Sequence, residues 1–185
     1  MSQLPGLLRS QHARERWDSD YYVEPAWCVH LLFDTVHFYG SIHDPCYGDG
    51  TIPTVARERW LEATGSDLRK RRFGESGIDF FTDNRPRRNI VSNPPYKLLE
   101  QFIHHALAVA ERKVAVVVRL PFLAGQNRLK TLYGVHHPRT VIVLSRRPSM
   151  PPGDTDIPAR NGTDDYCWCV WQHGFEGPTE LRWAA

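Results

Sequence analysis

The sequence predicts an α/β fold built on a doubly wound sheet. Three observations carry that expectation. Short apolar runs of strand type alternate with stretches of helical period through most of the chain. One run, Val114 to Val118, is almost uninterrupted β-branched sequence, the mark of a strand covered on both faces. Two other runs end in tight turns that lead straight into helices, Asp44 to Gly50 and Asn93 to Tyr96. The 185 residues suit one domain with one core.

Met1 to Asp18 mixes charge with isolated apolar residues, so residues 1–20 read as a loose segment and 21–185 as the domain. Pro25 opens a helix through Trp27, Val29, Leu31, Leu32 and Val36, proline being tolerated where the N–H has no partner. Tyr39 to His43 reads as a short buried strand, ended by Asp44-Pro45. Gly48 and Gly50 allow a sharp turn and close approach of a ligand. Thr51 to Ala63 then has helical spacing, with Ile52, Val55, Ala56 and Trp60 on one face. This is the unit in which open α/β sheets bind nucleotides. It lacks the third glycine of the dinucleotide fingerprint and the Lys-Ser/Thr of a phosphate loop, so it suits a cofactor without phosphates.

Ala63 to Asp67 stands where a second strand belongs. A carboxylate at its end can take both ribose hydroxyls of a nucleoside, the alternative being a surface turn. Two basic runs follow, Arg69 to Arg72 and Arg85 to Arg88. Asn89 to Ser92 is a core strand. Two prolines stiffen the turn after it, and Leu98, Leu99, Phe102, Ile103, Ala106 and Leu107 carry a helix to about Glu111. His104 and His105 are adjacent and face different ways, one packed and one wet. Gln126 to Tyr133 reads as one or two helical turns and Thr140 to Leu144 as a buried strand. Ser145 to Gly162 is a long loop of the functional or mobile kind. Asp165 to Gln172 is a last strand with no helix before it, hence an antiparallel final pair, and Gly174 to Ala185 is an extended tail.

Composition excludes several classes. A net charge of +2 does not by itself demand a nucleic-acid partner. No apolar run approaches membrane-spanning length, and Met1 to Arg16 has no signal-type core, so a soluble cytoplasmic protein is expected. Cys28, Cys46, Cys167 and Cys169 have no zinc-type spacing and read as free thiols, with no metal site.

The turn Asn93-Pro94-Pro95-Tyr96 is a rigid cradle for a planar group bearing an amino function. Asn93 offers an acceptor and a donor, the Pro94 carbonyl has no ladder partner, and Tyr96 offers a flat ring. With Asp44-Pro45-x-x-Gly48-x-Gly50 about forty residues before it, the chain resembles the S-adenosylmethionine-dependent amino-methyltransferases of the DNA adenine-N6 class, in their compact phage-type form.

That resemblance implies a class I Rossmann-like fold, a seven-stranded sheet with strand seven inserted antiparallel, and no separate target-recognition domain. It implies that the cofactor's methionine end lies on Tyr22, Glu24 and Pro25, Glu24 standing where many relatives carry Thr. Asp44, Pro45, Gly48, Gly50 and Asp67 complete the cofactor site, with Asp79 accepting from its adenine amine and Phe80 packing nearby. Asn93, Pro94, Pro95 and Tyr96 are the catalytic residues it implies, acting on the N6 amine of a flipped-out adenine in DNA. Arg69, Arg71, Arg72, Arg87, Arg146 and Arg147 are candidates to hold phosphates, or else a solvated basic face. Specificity then falls to the loop Arg146 to Asn161, or to a partner or second copy. The same cradle also suits adenine in RNA or a protein glutamine. A catalytically inactive subunit that binds cofactor or nucleic acid is the reading of another class. A bacterial or phage-infected cell is the setting the resemblance suggests.

Overall fold

The computed structural model describes residues 20–185, so all but the last residue of the expected loose segment 1–20 lies outside the described residues. Strand β1 (Ile42–Asp44) is central. To one side lie β2 (Ala63–Asp67) and the two-residue β3 (Glu75–Ser76); to the other lie β4 (Arg87–Ser92) and β5 (Ala110–Arg119). Beyond β5 come β7 (Tyr166–Gln172), β6 (Thr140–Leu144) and β8 (Glu180–Ala184), giving an eight-stranded sheet in the order β3-β2-β1-β4-β5-β7-β6-β8. Only β7 runs against its neighbours, between β5 and β6. The antiparallel last pair is therefore as expected. The tail is not merely extended: it pairs in parallel with β6 as an eighth strand, from Thr140 opposite Glu180 to Leu144 opposite Ala184.

The helices cover both faces. Helix α1 (Ala26–Thr35) and helix α2 (Thr51–Glu58) lie on one, where Val29, Leu32, Ile52 and Val55 meet Val91, Ala115, Val117 and Trp168. Helix α3 (Leu99–Val109) lies on the other, where Phe102, Ile103 and Ala106 meet Ile90, Val114, Val116 and Val118. Alternate residues of β5 thus enter opposite cores, which is why its sequence does not alternate with polar residues. Helix α3 ends two residues before the expected Glu111, because Ala110 is already extended and begins β5. Helix α2 ends at Glu58 rather than Ala63, with Trp60 in left-handed backbone just beyond it. His105 packs edge-on against Phe80, with ring centroids 4.7 Å apart, while His104 is exposed.

Trp168 is fully buried, and its indole Nε1 donates to the Cys28 carbonyl at 2.9 Å, tying β7 to α1. Replacing Trp168 by Phe removes that donor and leaves a void. The expected loss is about 2 kcal/mol or more of unfolding free energy, read by urea denaturation. An unchanged midpoint would show that this face repacks freely.

Candidate active site

The site lies at the ends of adjacent parallel strands. β1 and β4 pair in register, Ile42 with Asn89 and His43 with Ile90. Both strands therefore finish at one level, and the turns after Asp44 and Ser92 emerge side by side. The Asp44 carboxylate joins them. Its Oδ1 accepts from the Ser92 hydroxyl at 2.7 Å and from the Cys46 backbone N–H at 3.0 Å. Burial, then the nearby Glu24 carboxylate, push its proton affinity up to a pKa of about 8.

The glycine turn is held from a third strand. The Gly48 N–H donates to Asp67 Oδ2 at 3.1 Å, and the Tyr47 N–H to the Ser66 carbonyl at 3.0 Å. Gly48 and Gly50 have φ of 49° and 82°, left-handed backbone that favours glycine. Gly50 caps α2 in that conformation. A side chain at Gly48 would collide with the Tyr21 ring, 2.5 Å from the position its Cβ would take.

A cavity of about 490 Å³ runs between the two turns. Asn93, Pro95, Lys97 and Leu98 wall one part of it, and Pro45 and Cys46 another. Asp67 with Arg69 and Arg71, and then Ile78, Asp79, Phe80, Phe81 and Phe102, form much of the rest. Of the residues singled out from sequence, Pro45, Asp67, Asp79, Phe80, Asn93 and Pro95 share this cavity, and so do Arg69 and Arg71, which were expected on a phosphate-binding face instead. Asp79 spends one oxygen on the Phe81 N–H at 3.0 Å, which starts a short 3₁₀ turn and fixes the carboxylate.

Other expectations need correction. Asp44, Gly48 and Gly50 do not line the cavity; Asp44 is buried beneath the turn as a brace, and the glycines are covered by Tyr21 and Tyr47. Tyr22, Glu24 and Pro25 do not line it either. The Tyr22 ring stacks near Tyr96, with centroids 5.9 Å apart, and Glu24 meets Asn93. Their neighbours Asp20 and Tyr21 line it instead, which sequence reasoning missed. An aromatic pair at residues 21 and 22 did not reveal which ring turns inward.

Asp67 accepts from the Gly48 N–H, the Arg69 N–H and Arg71 Nε, so of about four accepting positions one remains. The expectation that it takes both ribose hydroxyls narrows to one. Arg71 also meets Asp154 at 2.9 Å and stacks on Tyr21, 4.1 Å from the ring centroid. It is an internal tie between the long loop and the cavity wall, not a phosphate-binding surface cation. Arg87 is likewise taken up by Asp83 at 2.9 Å, and its side chain is mostly covered. Arg147 pairs with Asp165 at the surface, while Arg69, Arg72 and Arg146 are exposed.

The Asn93 carboxamide is fixed by its partners. Its Nδ2 donates to the Tyr22 carbonyl at 2.9 Å and to Glu24 Oε2 at 3.0 Å. The Tyr96 hydroxyl donates to Asn93 Oδ1 at 3.2 Å, with Met150 Sδ 3.4 Å away. Burial, first, and the Asp49 carboxylate hold the Glu24 pKa up at about 7. Tyr96 also lines a second cavity, of about 450 Å³, with Arg119, Phe122 and Asp164 on its walls. The long loop closes over this region, its Pro151 carbonyl accepting from the Val23 N–H and its Gly153 N–H donating to the Tyr21 carbonyl. Among the described residues no helix is long and apolar enough to cross a membrane, and all four cysteines are free thiols.

No protein-family model matches the chain, and no curated protein is significantly similar to it in sequence. Solved structures match its fold. A protein from Agrobacterium tumefaciens, predicted to be an O-methyltransferase, superposes with a TM-score of 0.56 at 15% identity, over 88% of this chain and 86% of that one. A protein from Pyrococcus horikoshii, regarded as an RNA methyltransferase, gives 0.55 at 13% identity, over 80% and 82%. The 1,6-didemethyltoxoflavin-N1-methyltransferase of Burkholderia thailandensis, solved with its substrate and S-adenosylhomocysteine, gives 0.54 at 12% identity, over 93% and 92%. The fold is the class I Rossmann-like methyltransferase fold, with one strand added at an edge.

The buried carboxylates make stability depend on pH. Asp44 and Glu24, with raised pKa values, hold protons in the folded state that they release when unfolded, so their stabilising contribution is lost as pH rises towards 8. His43 is lowered to about 4, mainly by burial; its contribution is lost as pH falls below about 6.5 and is constant above that. Between pH 6.5 and 8 these carboxylates set most of the slope among the described residues. The melting temperature should fall across that window, and Asp44→Asn should remove most of the fall. A flat or rising curve for the unsubstituted protein would contradict the buried-acid assignment.

Proposed function

We propose that the protein transfers a methyl group from S-adenosylmethionine to the exocyclic N6 amine of adenine in DNA. The observation that carries this reading is the joining of the two turns. A cavity walled by Pro45, Asp67, Asp79 and Phe80 reaches Asn93, and a second cavity opens on Tyr96 of the same turn.

The residues fit the cofactor. The aromatic end around Phe80 and Phe81 suits a purine, and Asp79 has an oxygen to accept from an exocyclic amine. Asp67 has room for one ribose hydroxyl. Tyr21 is on the cavity wall, and burial followed by its hydrogen bond to the Asp49 carboxylate keeps its hydroxyl protonated. When bound, S-adenosylmethionine supplies an electrophilic methyl group.

The chain's own part in the reaction is to prepare the acceptor. An amine conjugated to a purine is a poor nucleophile because its lone pair is delocalised. Asn93 Oδ1, with a lone pair beyond the one Tyr96 uses, accepts one amine hydrogen, and the Pro94 carbonyl accepts the other. Those bonds favour a tetrahedral nitrogen and localise its pair, so they strengthen as the transition state forms. The Tyr96 ring fixes the plane of the base, which leaves the duplex at a cost of about a few kcal/mol. The exposed Arg69, Arg72 and Arg146 offset part of that by holding phosphates. Specificity comes from the short loops or from a partner or second copy.

The test is tritiated-methyl transfer offered in parallel to duplex DNA, single-stranded DNA, RNA and protein. Label should enter DNA and be recovered as N6-methyladenine. Label only in RNA, or only in protein glutamine, would overturn the DNA reading, and label nowhere would favour a binding subunit. Asn93→Ala should lower the rate by at least about 100-fold while S-adenosylhomocysteine still binds. Asp67→Ala should weaken that binding first, as calorimetry will read.

A further inference from the structure

The two ends of an asparagine carboxamide are alike in size and differ only as donor and acceptor. Which end faces the acceptor site therefore depends on what grips the other end. At Asn93 both Nδ2 hydrogens are taken, one by the Tyr22 carbonyl at 2.9 Å and one by Glu24 Oε2 at 3.0 Å. Turning the amide over would set Oδ1 against a carbonyl and a carboxylate, two acceptors. The Tyr96 hydroxyl, donating to Oδ1 at 3.2 Å, agrees with the observed orientation. Glu24 is 8% exposed and does not line the cofactor cavity, so its carboxylate is committed to the amide rather than to the methyl donor. The backbone beside it is held in place, Val23 by Pro151 and Tyr22 by a bridge to Pro152.

We propose that Glu24 is a positioning residue, which locks the Asn93 carboxamide with its oxygen towards the acceptor so that the group held there must donate a hydrogen. The inference rests on the reading of Asn93 as the acceptor-binding residue. It narrows the acceptor to groups that bear a donatable hydrogen, and disfavours ring nitrogens without hydrogen as methyl acceptors.

The charge of Glu24 carries the lock. The charged and titratable groups that face it are the carboxylates Asp44 and Asp49, the thiols Cys28 and Cys46, and the hydroxyls Tyr21 and Tyr96, with Thr51 bonding to it. Among the described residues no cation is named with them. Burial, then the like charge of Asp49, place its pKa at about 7. Ionised, it accepts only, and one amide orientation survives. Protonated, it also donates, and the turned amide gains a partner.

The test reads the amide directly. In the full-length protein, the Asn93 side-chain NH₂ resonances should shift with pH, with a midpoint near 7, and Glu24→Gln should abolish the shift. Single-turnover methyl transfer should rise through the same midpoint, and in Glu24→Gln it should lose that rise and fall about tenfold at the plateau. S-adenosylhomocysteine affinity should stay within about twofold, since Glu24 is outside the cavity. Resonances that do not titrate in the unsubstituted protein, or that titrate equally in Glu24→Gln, would overturn the proposal. So would a tenfold loss of cofactor affinity with the rate unchanged, which would make Glu24 a cofactor ligand. If the protein transfers no methyl group yet the resonances titrate as described, the positioning role stands and the enzymatic reading fails.

Discussion

One hydrogen bond, from the Ser92 hydroxyl to the Asp44 carboxylate at 2.7 Å, ties together the two turns on which the rest depends. It lies between parallel strands in register, and both partners are buried. Burying an acid is costly unless its oxygens are met, and here the same oxygen also takes the Cys46 N–H, the first free donor of the glycine turn. The arrangement fixes the level and spacing of two turns whose backbones could each bend otherwise. What the 490 Å³ cavity and Asn93 share is that common anchor.

Around it the chain builds outward in layers. Asp67, one strand away, holds the glycine turn through the Gly48 N–H, and Arg71 carries that hold to Asp154 on the long loop. Glu24, from the helix entry, holds Asn93. Three acids that look alike in the sequence thus do three things. Asp44 braces, Asp67 braces with one position to spare, and Glu24 orients. Their electrostatic neighbours decide which. Asp67 has Arg71 beside it, whereas Asp44 is raised by burial and by Glu24, and Glu24 by burial and by Asp49.

Much of this is legible in the sequence. The strand at Thr140 to Leu144 falls where its apolar run put it, because a strand buried on both faces leaves a run that little else explains, and the short one at Ala63 to Asp67, with little apolar weight, falls where the order of elements put it. The antiparallel β7 followed from the missing helix. The eighth strand was not legible, since Glu180 to Ala184 lies at the edge with its side chains mostly exposed and so carries no burial pattern. At the site, Asn93, Pro95, Asp67, Asp79 and Phe80 came together because turns at neighbouring strand ends must. The basic residues were not legible. A run such as Arg69 to Arg72 does not show that its third member reaches Asp154, 83 residues away, and leaves the surface. Nor did the run from Tyr21 to Pro25 show which side chains face the cavity and which face the amide.

The central claim is that the donor cavity ends at the Asn93 turn. Ultraviolet cross-linking with methyl-tritiated S-adenosylmethionine, followed by peptide mapping, addresses it most directly. Label should appear in the peptides bearing Pro45 and Cys46 or Asn93 to Leu98, and be displaced by S-adenosylhomocysteine. Displaceable label confined to β6, β8 or the helical turns at Gln126 to Tyr133 would contradict the account.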